Sequence, residues 1–383
     1  MFLKNLPKNI SSYFILILAV LISTAVLWSP FILHAKAWFG IGADDSSLLY
    51  VYKQYDGPLY VIAAKTMYDP KQIEIPKKGL IISLPLSAKY FAAHLPLYPL
   101  FIRLFAPMLG YLKSMVFVNI ISTILLCCFF YFMVRKLRLS NNPLILSIIF
   151  LFLPRFLVVR SVGAPESLFI LLILLSLYFF EKEKYITSGV LGGLAAMAKA
   201  PGVLLFVAYS LVFVEKFLKT KKINLKWLAI LLIPLGTFAV FLLYQVRYGD
   251  FFAYFHSGDN IHLVAPFSAF NFRNRWVSTA WLDDILFYFF IYLLSTISLF
   301  KNKYRSLFYF CLVFFTATTF VAHRDISRYS LPLWPLALIA FERFFTSKKF
   351  LLGFVILLPA IYLYAWNFLL YNVIPISDWR PFL

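Results

Sequence analysis

Three aspartates near the start of the chain are the first residues that could do chemistry. Asp44 and Asp45 are adjacent, and Asp56 lies in the segment YDGPLY, inside a sequence that is 62% hydrophobic. A carboxylate in such a segment can act as a general base, and an adjacent pair can bind a divalent cation through oxygen ligands. Each could instead cap a helix or meet water. We expect a catalytic carboxylate among the three, with Asp56 first because several tyrosines surround it.

A second group of polar residues recurs where apolar runs begin or end. The residues expected to contact a substrate are His94, Arg155, Arg160, Glu166, Lys199, His323, Arg324, Arg328 and Tyr329. Charged side chains at the ends of membrane spans often line a cavity, and cations there can bind phosphate through charge-assisted hydrogen bonds. The alternative is that these side chains reach to the membrane surface or anchor the chain at the interface.

Composition and motifs exclude several classes of function. The net charge is +20, but the cations form short clusters between apolar runs, unlike the basic stripe of a nucleic-acid-binding domain. Cys127, Cys128 and Cys311 lie inside apolar runs and lack the spacing of metal ligands or of a disulfide framework. The sequence contains no Walker loop, dinucleotide fingerprint or Ser-His-Asp pattern. We therefore expect no cofactor and no nucleic-acid partner; a divalent metal is possible but not favoured.

Long apolar runs predict an all-α, polytopic membrane protein. Only 14% of the residues are charged, and several runs approach the ~20 residues that cross a bilayer. We predict about eleven transmembrane helices within one integral membrane domain, residues 1–383. The spans are expected at 12–33, 114–134, 142–159, 166–180, 185–199, 201–215, 226–246, 284–300, 304–322, 329–345 and 349–371.

Basic clusters set the expected topology. If residues 91–109 lie flat at the interface as an amphipathic helix, the clusters at 135–138, 216–222 and 301–305 all fall in the cytoplasm, as the positive-inside rule requires. The outer side then carries a long first loop, about 34–113, and another at about 247–283. Of the 16 acidic residues, all but Glu181, Glu183, Glu215 and Glu342 fall on the outer side.

The ordered motifs resemble those of the GT-C superfamily of polytopic glycosyltransferases. The segments are YDGPLYVIA, HLPLYPLFIRLF, APESLF continuing to AMAKAPG, RYGDFFAYFH and SRYSLPLWPL. The likeness is strongest to PIG-V-type mannosyltransferases. It implies a catalytic aspartate at Asp56, with Tyr55 in place of the family's Trp, and Lys199 where the family has Arg. It also implies interfacial helices in the first outer loop.

The resemblance implies an inverting transfer of a sugar, a mannose-like hexose favoured, from a polyprenyl-phosphate carrier to a lipid, glycan or protein acceptor. Asp56 would take the acceptor's proton, while Arg160, Arg328 and His323 or His94 stabilise the leaving phosphate. Membrane lipids are the other expected partners. The expected location is a prokaryotic plasma membrane, with the site facing outside. The alternatives are a lipid-linked sugar transporter or flippase and an envelope glycan ligase or polymerase.

Overall fold

The computed structural model describes residues 8–42, 47–54, 56–80, 87–259, 262–271 and 282–383. Asp44, Asp45 and Tyr55 lie outside the described residues. The helices before the first polar loop and within it are α1 Lys8–Ile32, α2 Leu49–Tyr52, α3 Gly57–Thr66, α4 Pro70–Lys77 and α5 Leu97–Leu109. A short hairpin pairs β1 Ala37–Trp38 with antiparallel β2 Ile41–Gly42.

The rest of the described chain is also helical. The remaining α-helices are α6 Tyr111–Lys136, α7 Pro143–Leu151, α8 Pro154–Val159, α9 Glu166–Glu181, α10 Tyr185–Ala198, α11 Leu204–Thr220, α12 Leu232–Tyr248, α13 Asp283–Leu299, α14 Arg305–Thr319, α15 Ile326–Tyr329, α16 Trp334–Ala340, α17 Glu342–Phe345 and α18 Lys348–Tyr371. The 3₁₀ turns are Ala88–Ala93, Ala200–Val203, Leu225–Leu231, Ser268–Phe270, Leu331–Leu333 and Arg380–Phe382.

Several helices are long and apolar enough to cross a membrane. Within the described residues there are five by length and composition: Ile10–Ile32, Tyr111–Lys136, Ala200–Thr220, Leu225–Tyr248 and Lys348–Tyr371. Shorter apolar helices pack between them. The all-α, polytopic prediction is therefore confirmed, and the chain is a multi-pass integral membrane protein.

The expected count of eleven spans is not confirmed, because two of the predicted spans are interrupted. The span predicted at 142–159 is two short helices, α7 and α8, with Leu153 extended at φ −56° and ψ 128°. Pro154 follows, and a proline disfavours helical backbone at the preceding residue. The span predicted at 329–345 is likewise a series of short segments, α15 to α17, in which Pro332 and Pro335 lie at segment starts.

Glycines allow α10 and α12 to approach closely. A Cβ added at Gly193 would lie 2.6 Å from the Leu232 carbonyl oxygen, and one at Gly236 would lie 2.4 Å from the Gly193 carbonyl oxygen. Any side chain at either position would therefore push the two backbones apart. Residues 189–193, GVLGG, lie in α10 and form a helix-packing site of small residues. This packing holds α10, at whose end Lys199 lies.

Helix α5 is followed by a sharp turn at Gly110, whose φ is +78°, and α6 begins at the next residue. The 13 residues of α5 span about 20 Å, which is shorter than the ~30 Å apolar core of a bilayer. Leu100, Leu104 and Met108 form an exposed apolar stripe on one face. Such a stripe suits a helix lying in the interface, and the flat orientation remains a prediction.

The polar loops collect at two opposite ends of the helical bundle. At one end Glu342 Oε1 accepts from Ser140 Oγ at 2.9 Å, Arg305 Nε lies 2.8 Å from Glu215 Oε2, and Ser306 N donates to Glu181. These acids are among the four that charge patterning grouped with the basic clusters. Which end faces the cytoplasm remains a prediction from the Lys and Arg distribution.

Candidate active site

A chain of four charged side chains lies at the other end of the bundle. Arg328 Nη2 is 2.6 Å from Asp56 Oδ2, and Arg328 Nε is 2.7 Å from Glu166 Oε1. Lys199 Nζ is 2.8 Å from the same Glu166 oxygen. Four residues separated by up to 272 positions in sequence therefore form one alternating network of two carboxylates and two cations.

Local sequence places each member of this network at the end of a helical element. Asp56 precedes α3 at a tight turn, in which a Cβ on Gly57 would lie 3.0 Å from the Tyr52 carbonyl oxygen. Glu166 is the first residue of α9, where the helix dipole favours a negative charge. Lys199 ends α10 in an extended conformation, φ −150°. Arg328 projects from the short helix α15.

Burial makes the network dependent on all its members. The Glu166 side chain is 2% exposed, and the side chains of Lys199, Arg328 and Asp56 are 14%, 17% and 20% exposed. A buried ion pair that loses one partner leaves an uncompensated charge, which typically destabilises by 3–5 kcal/mol. Glu166 Oε2 has no hydrogen-bond partner among the described residues. Because Glu166 Oε1 accepts from both cations, the structure places it as their common support.

His94 adjoins the network from the segment before α5. Its side chain is buried among aromatic rings, and the Tyr60 ring meets it edge-on with centroids 4.8 Å apart. Burial lowers the pKa of His94 below its ordinary value, although the negative charges of Asp259 and Asp56 oppose that change. The imidazole is therefore neutral near pH 7. His94 Nδ1 has no hydrogen-bond partner among the described residues.

The pKa of Asp56 reflects two opposing influences. Burial alone would raise the pKa of this carboxyl, but the positive charge of Arg328 and the hydrogen bond from Arg328 outweigh burial and lower the pKa below the ordinary value. Asp56 is thus ionised at neutral pH while it contacts Arg328. A carboxylate held in this way becomes a better proton acceptor when the guanidinium moves to another anion.

Asp259 lies near His94 and Asp56, and sequence analysis did not name it as a site residue. Desolvation raises the pKa of its carboxyl; His94 opposes the rise and Asp56 adds to it. Asp259 lies in the GDNIHL segment of the predicted outer loop at 247–283. Charge patterning predicts this loop on the outer side, but no pattern in the sequence indicates that the loop comes near His94.

A second polar group lies on the other side of α15. Arg155, at the start of α8, forms an ion pair with Asp325, and its guanidinium lies 4.1 Å from the centre of the Phe368 ring. The Asp325 N–H donates to His323 Nδ1 at 2.9 Å. Arg155 and His323 therefore brace the segment that carries Arg328. Desolvation lowers the pKa of His323, and Asp325 opposes that shift.

The remaining predicted site residues fall in different places. Tyr329 lies beside the network, with Lys199 Nζ 5.9 Å from the centre of its ring. Arg324 is exposed next to His323. Arg160 is fully buried away from the network and donates to the Leu151 carbonyl, Thr24 Oγ1 and Ser23 Oγ at 2.7–3.0 Å.

Those contacts give Arg160 a structural role inside the bundle, which differs both from the expected substrate contact and from the alternative of reach to the membrane surface. Its three donors bind α1 and the end of α7, so the guanidinium holds helices together. The expectation that Arg160 contacts a phosphate group has no support in this placement, because a fully enclosed side chain offers no surface to a ligand.

An apolar cavity of about 500 Å³ begins beside the charged network. Its wall includes Ala200, which follows Lys199, and Tyr329, which follows Arg328; Val203, Thr237, Tyr254 and Phe314 lie further along it. The charged groups and the apolar space thus share one boundary. Among the described residues, no group of three or more His, Cys, Asp or Glu side chains is arranged to hold a metal ion.

Comparisons with known proteins support the fold. No family model matches the sequence, and no curated protein matches it. Among solved structures, the chain is similar to ArnT from Cupriavidus metallidurans bound to undecaprenyl phosphate, with a TM-score of 0.54 and 14% identity. The match covers 88% of this chain and 62% of that protein's length. The chain therefore has an ArnT-like polytopic fold, and nothing in the match extends to the PIG-V-type subgroup.

Proposed function

We propose that this protein is a glycosyltransferase that moves a sugar from a polyprenyl-phosphate carrier to an acceptor hydroxyl. The observation that carries the proposal is the shared boundary between the Asp56–Arg328–Glu166–Lys199 network and the apolar cavity. A lipid-linked phosphosugar has a charged head and a long apolar tail. The similar protein ArnT was solved with undecaprenyl phosphate bound, which supports a ligand of this class.

The two cations of the network suit the phosphate. Arg328 and Lys199 each precede a residue that lines the cavity, Tyr329 and Ala200, and both already bind carboxylate oxygens. A phosphate oxygen can replace a carboxylate oxygen as the acceptor of the same charge-assisted hydrogen bonds. As the bond from the sugar's anomeric carbon to phosphate breaks, negative charge grows on the leaving oxygen. Cations that already bind the phosphate stabilise that charge as it develops.

A carboxylate of the site takes the acceptor's proton. The acceptor oxygen attacks the anomeric carbon, the bond to phosphate breaks with its electron pair, and the hydroxyl proton passes to Asp56. Attack opposite the leaving group inverts the anomeric centre. Arg328 must first leave Asp56 for the phosphate, because the two are 2.6 Å apart in the ligand-free site. Donor binding therefore uncovers the base, and we propose that the donor binds before the acceptor.

The sugar and the side of the membrane are proposed from the sequence. Mannosyl phosphoprenol is the first donor to test, from the sequence resemblance alone. The positive-inside distribution favours a site on the outer face of a plasma membrane. Since GT-C-like folds do not determine a substrate, the test must include several sugars.

The experiment is incubation of purified protein with a panel of radiolabelled polyprenyl-phosphate sugars and candidate acceptors. Release of polyprenyl phosphate with transfer or hydrolysis of the label is the expected result, lost in Asp56→Asn. Glu74→Gln is the matched control, because Glu74 lies in the same loop and pairs with Lys77 on the surface. Movement of an intact labelled carrier across vesicles without bond cleavage would instead identify a transporter.

A further inference from the structure

The last residues of the chain run across the first outer loop. Residues 372–383 follow α18 and end in the 3₁₀ turn Arg380–Phe382, whose Phe382 is fully buried. Three separate places along this segment, called the strap below, bind the loop between residues 53 and 80. Since 53 and 383 lie at opposite ends of the sequence, the strap closes the fold around the segment that holds Asp56.

The contact nearest to Asp56 in sequence is an amide pair between buried Gln54 and half-buried Asn372. Asn372 Nδ2 donates to Gln54 Oε1 at 2.9 Å, and Gln54 Nε2 donates to the Leu369 carbonyl at 3.3 Å. The Gln54 side chain is 4% exposed. Two residues further, the Ile374 N–H donates to the Lys53 carbonyl at 2.9 Å, and Gln54 and Val373 form an antiparallel bridge.

The same residue closes the turn that presents Asp56. The Gly57 N–H donates to the Gln54 carbonyl at 2.7 Å, so Asp56 lies inside a turn with Gln54 at its start. The Gln54 side chain is held by α18 and the strap, and its carbonyl holds Gly57. The position of the Asp56 carboxylate therefore depends on residues that follow it by more than 300 positions.

The strap also contacts the loop at two further places, nearer to the end of the strap. Leu80 and Ile376 form an antiparallel bridge, and the Ser377 N–H donates to the Gly79 carbonyl at 2.9 Å. Lys65 Nζ, at the end of α3, donates to the Pro381 carbonyl at 2.8 Å. The strap thus holds both ends of the segment that runs from Asp56 through α3.

We propose that Gln54 and Asn372 are positioning residues, through which the C-terminal strap sets the place of Asp56 against Arg328. This inference rests on the proposed function for its effect on rate. Catalytic groups must be held within about 0.5 Å of their productive geometry, and a displacement of ~1 Å can lower a rate by about 10²-fold. The strap touches no substrate; it acts through the turn at 54–57.

The variant Asn372→Ala removes the donor to Gln54 and leaves its buried oxygen unsatisfied. We expect kcat to fall about 10–100-fold, with little change in the KM for the donor, whose phosphate contacts lie elsewhere. Hydrogen–deuterium exchange should increase in peptides covering 53–60. The matched control is Asn302→Ala, because Asn302 accepts from the Tyr304 N–H at the opposite end of the molecule; neither readout should change there.

A reversible crosslink then separates positioning from general damage. Partners in an antiparallel bridge have Cα atoms about 4.5–5.5 Å apart, which falls within the usual disulfide range of about 4.4–6.8 Å. Leu80→Cys with Ile376→Cys, placed in the Asn372→Ala background, should fasten the strap when oxidised. Oxidation should restore kcat and exchange protection at 53–60, and reduction of the same sample should remove both.

The outcomes are decisive in each direction. Unchanged kcat and exchange in Asn372→Ala, a lower kcat without increased exchange at 53–60, or increased exchange at normal kcat would each overturn the inference. Failure of the oxidised crosslink to restore the rate would do the same. If the wild-type protein transfers no sugar, the proposed function fails. The exchange measurement then still tests the strap, because unchanged exchange at 53–60 in Asn372→Ala would show that the strap does not hold this turn.

Discussion

Arg328 Nη2 lies 2.6 Å from Asp56 Oδ2. The proposed base and the arginine proposed to bind phosphate therefore bind each other in the ligand-free site. Each group must release the other before the reaction can proceed. A phosphate that arrives at Arg328 competes with Asp56 for the same N–H donors. The ion pair therefore links donor binding to the basicity of the carboxylate, and its removal should have opposite effects on binding and on rate.

The variant Asp56→Asn tests this link. We expect transfer to fall about 10²–10⁴-fold, the usual contribution of a general base. Binding of polyprenyl phosphate should tighten by about tenfold, equivalent to ~1.4 kcal/mol, because Asp56 no longer competes with the phosphate for Arg328. Equilibrium binding of labelled polyprenyl phosphate measures the second effect, with Glu74→Gln as control. Weaker binding in Asp56→Asn would contradict the competition between carboxylate and phosphate.

Glu166 should matter more for stability than any exposed acid. Its buried carboxylate binds both Lys199 and Arg328, so Glu166→Gln leaves two buried cations with one fewer negative charge. We expect a loss of about 3–5 kcal/mol in the free energy of unfolding, seen as a lower Tm in detergent. Glu183→Gln is the control, since the Glu183 side chain is 74% exposed and its pair with Lys216 is worth ~1 kcal/mol or less. Equal Tm values would refute the role of Glu166.

Arg160 should behave differently from Arg328. Arg160→Leu leaves Ser23, Thr24 and a carbonyl of Leu151 without their buried donors, which costs about 1–3 kcal/mol for each unsatisfied group. The Tm should fall, while the folded variant binds polyprenyl phosphate as the wild type does. Arg328→Gln should weaken that binding. Loss of lipid binding in folded Arg160→Leu would restore the original expectation for this residue.

Several features of the site follow from sequence because a membrane sorts residues by polarity. Asp56 could be nominated from its polar, tyrosine-rich segment, and Lys199 and Arg328 from their places at the ends of apolar runs; the three do meet at one end of the bundle. Which partner each one chooses could not be predicted. Helix rotation turns Arg160 towards α1, and the path of a long loop brings Asp259 near His94. Neither leaves a local pattern in the sequence.

The broken spans show a similar limit. Hydropathy identifies 142–159 as apolar, and the run is indeed packed inside the bundle, but Pro154 divides it into α7 and α8. The proline was visible in the sequence, whereas its effect was not certain, since prolines are tolerated in membrane helices where neighbours satisfy the freed groups. The interruption directs Arg155 towards Asp325, which no count of apolar residues could indicate.

Stability should depend on pH through His94. Burial lowers the pKa of the folded-state imidazole relative to its unfolded value, against the opposing charges of Asp259 and Asp56 and with Arg328 and Lys199 adding to the decrease. The unfolded chain then binds a proton more readily, so stability is full above about pH 6.5 and declines as the pH falls towards the folded-state pKa.

Thermal unfolding between pH 7.5 and 5.5 measures this effect. One proton changes the free energy of unfolding by at most about 1.4 kcal/mol per pH unit. The slope of the free energy of unfolding against pH over this range should be smaller in His94→Gln than in the wild type. His34→Gln is the control, because His34 is exposed. An unchanged slope in His94→Gln would mean that other groups carry the pH dependence.

The apolar cavity should discriminate carriers by the length of their tails. Val203 lies in its wall, whereas Val207, one helical turn later, is 42% exposed on the outside of the helix and does not line the cavity. Val203→Trp fills space that an isoprenoid tail would occupy, so binding of a long-chain polyprenyl phosphate should weaken by about tenfold, equivalent to ~1.4 kcal/mol. A short-chain analogue should bind unchanged, because its head still reaches Lys199 and Arg328. Val207→Trp should bind both as the wild type does. If Val203→Trp weakens both ligands equally, the cavity does not hold the tail; if it weakens neither, the tail lies elsewhere.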